Sequence, residues 1–397
     1  MYPKNIELKS KEFFSHEFRV DDAKIKKAVE NAIARLEMSL DRFYDELPLP
    51  AAANKRYKGN NTPDWKNGMA VGMYWLAYMI TKDDKFKKNA ENLTEKFIAV
   101  ADDQKTLNDH DTGFKITPSC VAAYKITGNE RAKEAAIKAA DILMDHICPV
   151  NGFIIRAGKN PPGGNPTMYR MLVDSMMNIH LLFWATEVTG DKKYSDAAIK
   201  HYELTAKYLV REDGSSYHHY QFDPETNKPV KGVTLQGFAD DSCWSRGHSW
   251  LMYGYPSSYR YTGREDALEI NRAVSYYFLD NLPENMVPYW DFDFNTPSLE
   301  PRDSSASAIA SCGLLQAADL LPEESEDKAI FKNAAHRMVN ALIDLCENKT
   351  EDRDGLIFHV THAKPFNENI DGIEIYGDYF YLEALARLAY PELEMFW

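Results

Sequence analysis

The chain has 397 residues, 44% hydrophobic, 27% charged and 12% aromatic, a composition that excludes disordered, collagen-like and low-complexity architectures. Its 46 basic and 60 acidic residues leave a formal charge of −14, which argues against nucleic acid or an anionic membrane surface as partner, because both need clustered Lys and Arg. A small anionic ligand stays open, since it feels the local field of a pocket rather than the net charge.

Length alone suggests two or three domains, with large single barrels as the exception. The opening MYPKNIELKSKEFF has no apolar h-region, so no secretory leader is expected in this numbering. A leader removed beforehand stays open, and the expected location is cytoplasmic or periplasmic. No stretch approaches 18 uninterrupted apolar residues, so no membrane span is expected. Five scattered cysteines (Cys120, Cys148, Cys243, Cys312 and Cys346), without CxxC spacing, argue against a disulfide framework or a structural zinc.

Residues 1–21 read as an N-terminal extension packing on the body of the domain. The first long element is an amphipathic helix over 22–42, with Ile25, Ala28, Val29, Ala32, Ile33, Leu36 and Leu40 on one stripe. Helices then follow over 67–81, 84–103, 115–127, 129–146, 174–189, 192–212, 245–262, 264–282, 304–321, 325–347 and 378–390. They alternate in kind. The segments 67–80, 175–186 and 304–318 carry almost no charge and read as buried all round. The helices after them are amphipathic, as in the stripe Ala132, Ala135, Ala136, Ala139 and Leu143 or the stripe Ala267, Ile270, Val274 and Tyr277.

Short joints connect the two kinds: Thr81-Lys82-Asp83, Thr127-Gly128-Asn129, Thr189-Gly190-Asp191 and Thr262-Gly263-Arg264, with Leu321-Pro322-Glu323 a weaker fifth. Gly after an apolar segment ends a helix, and Asn or Asp beside it opens the next. A buried helix alternating with a half-exposed one, about twelve in all, predicts two concentric layers: an all-α (α/α)6 barrel forming one catalytic domain over 1–397. A linear helical solenoid fits less well, because the repeat period is irregular. The long segments between hairpins (103–115, 147–174, 212–245, 283–304 and 348–378) should gather at one mouth, where function is expected.

Asp111, in Asn108-Asp109-His110-Asp111-Thr112-Gly113-Phe114, and Asp174, in Met171-Leu172-Val173-Asp174-Ser175-Met176-Met177-Asn178, each precede a buried helix. Either is a helix cap or a catalytic group. Two carboxylates facing one cavity are the usual equipment of glycoside chemistry. The apolar flanks of Asp174 should raise its pKa, while the polar flanks of Asp111 favour its charged form. Between 216 and 250, His218, His219, Gln236, Arg246, Trp244 and Trp250 crowd a loop entering a charge-poor helix. Arg246 either pairs with Asp240 or Asp241 or holds a ligand carboxylate. Trp65, Trp244 and Trp250 are either core or stacking platforms for sugar rings. No GxSxG, HExxH, Walker A or GxGxxG motif is present, and His359-x-x-His362 reads as loop histidines rather than a metal site.

Taken together, Trp65 through Tyr78 (WKNGMAVGMYWLAY), His110-Asp111-x-Gly113-Phe114, Asp174-Ser175-Met176-Met177-Asn178, His218-x-Tyr220-x-Phe222-Asp223-Pro224-Glu225-Thr226, the run Gln236 to Trp250 and Gly377-Asp378-Tyr379-Phe380-Tyr381 resemble the unsaturated glucuronyl hydrolases of glycoside hydrolase family 88. The related unsaturated rhamnogalacturonyl hydrolases share the Trp-x-Arg-Gly-x-x-Trp element, but Asp240-Asp241-Ser242 before Trp244 favours the glucuronyl group. His248 stands where family members often carry Gln, a departure expected to bear on subsite preference.

The resemblance implies the same (α/α)6 barrel and removal of a 4,5-unsaturated uronic acid from the non-reducing end of lyase-generated oligosaccharides, with glycosaminoglycan fragments expected. Hydration of the C4=C5 vinyl ether would proceed with Asp174 as proton donor and Asp111 as its ionised partner. His218, Gln236 and Arg246 would contact the sugar, and Trp65 and Trp250 would stack on it. It implies no metal or organic cofactor, and the chain is expected to act as a monomer or weak dimer. A sugar isomerase or epimerase using the pair His218-His219, and a non-catalytic glycan-binding barrel, are the alternatives from other classes.

Overall fold

The computed structural model describes residues 3, 6–49, 55–103, 106–107, 109–156, 169–294 and 297–397; Asn108 and the stretch 157–168 of the predicted mouth lie outside them. The helices are α1 (Lys11–Ser15), α2 (Asp22–Ser39), α3 (Asn67–Thr81), α4 (Asp84–Val100), α5 (Thr112–Ile116), α6 (Ala122–Thr127), α7 (Glu130–Met144), α8 (Ser175–Thr189), α9 (Lys192–Tyr208), α10 (Ser245–Thr262), α11 (Glu265–Asp280), α12 (Ser304–Leu320), α13 (Glu326–Ala341) and α14 (Ile375–Ala389). Each of the twelve predicted helices has its counterpart. The one expected over 115–127 starts earlier and is broken by a π-helical turn, Thr117–Val121, that carries Pro118. The last helix begins at Ile375 rather than 378.

The inner helices pack in a closed ring: α3 on the α5–α6 segment, α5 on α8, α8 on α10, α10 on α12, α12 on α14, and α14 back on α3. The outer helices α2, α4, α7, α9, α11 and α13 each lie against inner ones. This is the (α/α)6 barrel. The pattern follows from burial: α12 is buried from Ser304 to Ala318, whereas α7 buries Ala132, Ala135, Ala136, Ala139 and Leu143 and wets its other face. The extension packs α1 on α13, with Phe14 buried and its carbonyl accepting from Asn333 Nδ2.

The joints are built as the sequence suggests. Gly128, Gly190 and Gly263 adopt φ of 72°, 74° and 65°, and Lys82 takes the same left-handed position at 56°. Each N–H returns to a carbonyl of the helix it ends, at 2.7–2.8 Å. Leu321, in the fifth joint, is extended and ends α12 without such a residue. All five cysteines are buried and free. No helix among the described residues is long and apolar enough to cross a membrane.

The residue patterns predict an all-α chain in which only the run around His359 and His362 is strand-like, yet an antiparallel sheet lies across the mouth. Strands β3 (Arg170–Leu172), β4 (His219–Phe222) and β5 (Pro229–Val233) form it, while β1 (Leu47–Pro48) pairs with β2 (Gly59–Asn60) elsewhere. β3 pairs Leu172 with His219, and Val173 N–H donates to His218 O at 3.0 Å. The sheet therefore joins the segment leading into Asp174 to the segment carrying His218 and His219.

Candidate active site

The six inner helices present their N-termini to the mouth. Their first-turn flanking residues are Lys66, Asp111, Asp174, Trp244, Asp303 and Glu374, and none makes a side-chain capping hydrogen bond. On the outer layer Asp21, Asp83, Asn129 and Asp191 do cap, each accepting from a first-turn N–H. The backbone explains the difference: the outer caps are extended, with ψ of 99–130°, whereas Asp111 and Asp174 have ψ of 13° and −18°, which does not set their side chains to cap. Asp303 pairs with Arg246, and Glu374 with Lys66 at 2.9 Å, all buried. Among the described residues Asp111 and Asp174 have no such ion pair with Lys or Arg, and they face a common cavity.

That cavity, of about 410 Å³, is lined by Trp65, His110, Asp111, Arg156, Leu172, Asp174, His218, His219, Leu235, Gln236, His362, Ala363, Phe366 and Glu368. Gly113 allows the two carboxylates to approach. A Cβ there would stand 2.5 Å from Asn178 Cα and 2.7 Å from its carbonyl oxygen, so only glycine lets the first turn of α5 lie against α8. Asn178 Oδ1 accepts Phe114 N–H at 2.8 Å, which fixes the amide and turns Nδ2 toward Asp111 Oδ1 at 3.4 Å. His110 Nε2 lies 3.5 Å from Asp111 Oδ1 and 3.6 Å from Asp174 Oδ1.

Both carboxyl groups are pushed up. Burial raises Asp174 to about 6, opposed by the guanidinium of Arg156. Asp111 is raised well above the usual carboxylate range, first by burial, then by the charges of Asp174 and Asp109. Its side chain is 15% exposed, against 16% for Asp174. Polar flanks do not keep Asp111 in the ordinary carboxylate range: burial pushes both groups up, and they titrate as a pair rather than as separate residues. Burial and nearby cations hold His110 well below its ordinary value, so its ring is neutral.

His218 has a fixed role. Its Nδ1 meets the backbone N–H groups of Leu235 and Gln236, each at 3.3 Å, and the Thr234 hydroxyl at 3.3 Å. A nitrogen that accepts from two N–H groups carries no proton, so Nε2 is the protonated one and His218 is a donor. Such a ring cannot take a proton through Nδ1, which removes half of the histidine pair an isomerase would need. Gln236 Nε2 donates to His362 O at 3.2 Å.

Of the expected contact residues, Trp65, His218 and Gln236 line the cavity together with the two aspartates. Arg246 and Trp250 do not, and both readings are corrected. Arg246 is 1% exposed; it pairs with Asp303, donates to Thr361 O at 2.6 Å and to His362 O, and lies over the Trp244 and Tyr376 rings. Asp240 instead pairs with Lys231 at 3.0 Å. Trp250 is 2% exposed against Phe114 and Phe380, a core residue of α10. His248 is also away from the cavity: it bridges the Ser216 hydroxyl and Val274 O at 2.9 and 2.8 Å, so it cannot set subsite preference by contact.

The sequence reading singles out neither Arg156 nor Ala363, Phe366 and Glu368 of this lining. Arg156 supplies the cationic side chain of the lining. His362, which reads in the sequence as a loop histidine, forms part of the wall with its Nδ1 3.2 Å from Tyr376 Oη. A separate cavity of about 140 Å³ beside α2 is rich in arginine, but Arg35 is spent on backbone carbonyls and Arg42 on Asp354.

Comparison with known proteins agrees with this geometry. Residues 40–388 match the model of Glycosyl Hydrolase Family 88. The chain is 40% identical over 391 residues to an unsaturated chondroitin disaccharide hydrolase of Streptococcus pneumoniae, covering 98% of each chain. It superposes on the crystal structure of an unsaturated glucuronyl hydrolase from Streptococcus agalactiae with a TM-score of 0.95 and 38% identity, covering all of both chains. It likewise resembles an aspartate-to-asparagine variant of an unsaturated glucuronyl hydrolase from that species in complex with dGlcA-GalNAc6S, at TM-score 0.88 and 36% identity, over 100% of this chain and 99% of the other. With a barrel of this form, two uncapped aspartates on one cavity wall and a family match over most of its length, the chain belongs to glycoside hydrolase family 88 and is a glycoside hydrolase.

Proposed function

We propose that the enzyme removes a 4,5-unsaturated uronic acid from the non-reducing end of glycosaminoglycan-derived disaccharides of the chondroitin type. The observation that carries this reading is the Asp111–Asp174 pair, withdrawn from capping and left with raised proton affinity on the wall of one cavity. The relatives' substrates set the sugar class.

The reaction is hydration of a vinyl ether. The pair delivers its proton to C4 from Asp174, and positive charge develops at C5 and the ring oxygen. Water adds at C5 and gives up a proton to the carboxylate left behind. The hemiketal then opens and releases the remaining sugar, so the glycosidic bond breaks without attack at C1. Asp111 holds sugar hydroxyls beside the reacting edge, positioned by Asn178. His218 donates from Nε2, and Gln236, its amide N–H engaged by His362 O, offers its carbonyl oxygen as acceptor. Trp65, stacked at 5.7 Å on Tyr376, supports a sugar face.

Arg156 meets the uronate carboxylate. Together with the positive ends of the converging inner helices, it allows a chain of charge −14 to hold an anionic sugar. Incubation with an unsaturated chondroitin disaccharide tests the reading: the ultraviolet absorbance of the C4=C5 bond should disappear as free hexosamine accumulates. Persistence of that absorbance under saturating enzyme refutes it.

A further inference from the structure

We propose that His110, Asp111 and Asp174 form a site for a divalent transition-metal ion of the zinc type, and that such an ion blocks the enzyme rather than serving it.

The ligand atoms are already spaced for it. Zinc binds imidazole nitrogen and carboxylate oxygen at about 2.0–2.2 Å, which puts tetrahedral ligands roughly 3.3–3.5 Å apart. His110 Nε2 stands 3.5 Å and 3.6 Å from one oxygen of each aspartate, and one ligand atom from each of the three residues falls within 4.8 Å of the others. The two spacings to His110 are long for a hydrogen bond and close to those of ligands on one ion, and the two carboxylates are near enough to close on it.

His110 adds what an acidic pair lacks. Its side chain is 7% exposed and aimed between the carboxylates, and its Nδ1 has no hydrogen-bond partner among the described residues. The ring proton is free to sit on Nδ1, leaving the Nε2 lone pair for a metal. Asp174 Oδ1 is likewise buried without a partner. Three protein ligands and an open fourth position toward the cavity is the arrangement of accessible zinc sites. Arg156 on the same wall opposes a cation, but two carboxylates outweigh one guanidinium. Binding requires both aspartates ionised, so any proton held by the pair leaves to solvent as the ion enters. If the pair performs the hydration proposed above, the bound ion removes the proton donor and competes with substrate.

The test uses the full chain in chelator-free buffer, with Zn2+ titrated by calorimetry in the absence of substrate. One equivalent should bind and raise the melting midpoint. His110→Gln and Asp174→Asn, each checked for a cooperative melt, should each weaken that binding on the order of 100-fold. In turnover assays Zn2+ should raise the apparent KM and be reversed by a chelator. Absence of binding up to about 1 mM, or an equivalent retained by both variants, overturns the site. Binding that both variants lose while wild-type turnover ignores Zn2+ keeps the site and removes the catalytic role from the pair.

Discussion

Replacing Arg246 by Met gives the sharpest test of the distinction between a residue that touches substrate and one that builds the wall. The substitution leaves the Asp303 carboxylate, fully buried, without its cation, and Thr361 O without its donor. The His362 carbonyl keeps the Gln236 amide. Breaking a buried pair from one side costs about 3–5 kcal/mol, because the remaining charge is stranded.

Asp303 already has its pKa pushed up by burial, with Arg246 the main opposing influence, so without Arg246 it shifts higher and takes up a proton. A carboxyl whose folded pKa lies above its unfolded value loses stability as pH rises toward that folded pKa. The deficit relative to the parent should therefore shrink by about 1.4 kcal/mol for each pH unit from the variant's folded pKa down to the parent's lower one, since Asp303 is raised in the parent as well. Urea unfolding at several pH values measures this, with steady-state kinetics alongside. Arg246→Met/Asp303→Leu should recover much of the loss, as apolar replacement of a buried pair is often neutral. A single variant of parental stability whose KM alone rises steeply would refute the reasoning and return Arg246 to the substrate.

The geometry sets three further outcomes. Asp174→Asn should lose 10²–10⁴-fold in kcat, roughly 3–5 kcal/mol, with its melting midpoint kept; retention of more than about a tenth of kcat by a folded variant moves the acid elsewhere. Gly113→Ala forces a Cβ against the Asn178 backbone. It should cost about 1–3 kcal/mol and lower kcat more than a surface change of equal instability, as read by paired unfolding and kinetic measurements. The buried neutral histidines His180, His201 and His248, with pKa values pushed down to about 4, 3 and 4, should each withdraw roughly 1.4 kcal/mol per pH unit as pH falls from 6.5 toward those values. His201→Asn, which can still accept from Ile154 N–H, should flatten that slope in acid unfolding curves.

What was legible in the chain was whatever local patterning encodes. Charge-free and striped helices, joined by Thr-Gly turns, specify both layers, and Asp111 and Asp174 stand out because each immediately precedes a buried helix. The failures share a different cause. The partner of Arg246 lies 57 residues away, so nearness in sequence points to the wrong acids. Strand β3 is three residues long and pairs with residues roughly fifty positions on, a contact no local period reveals. Arg156 has no patterned neighbours. Trp250 is the instructive error, since α10 already reads as charge-poor and buried, and that signal outranks the appeal of a tryptophan platform. For Asp111, flanking residues describe the chain and not the cavity that dries both acids.

The missing caps of the inner helices bear on how this enzyme responds to selection. A largely buried carboxylate that neither caps its helix nor meets a partner cation among the described residues is a place where stability is easily gained: a neutral Ser or Thr at 111 or 174 would shed its desolvation cost, about 1–3 kcal/mol. A library screened for heat resistance alone should therefore enrich changes at these two positions and return folded, inert barrels. Outer positions such as Asp83 and Asp191, whose carboxylates already accept from Lys85 and Lys193 N–H, should stay as they are under the same screen. Sequencing the survivors thus separates acids kept for the fold from acids kept for the reaction, with no substrate in the experiment.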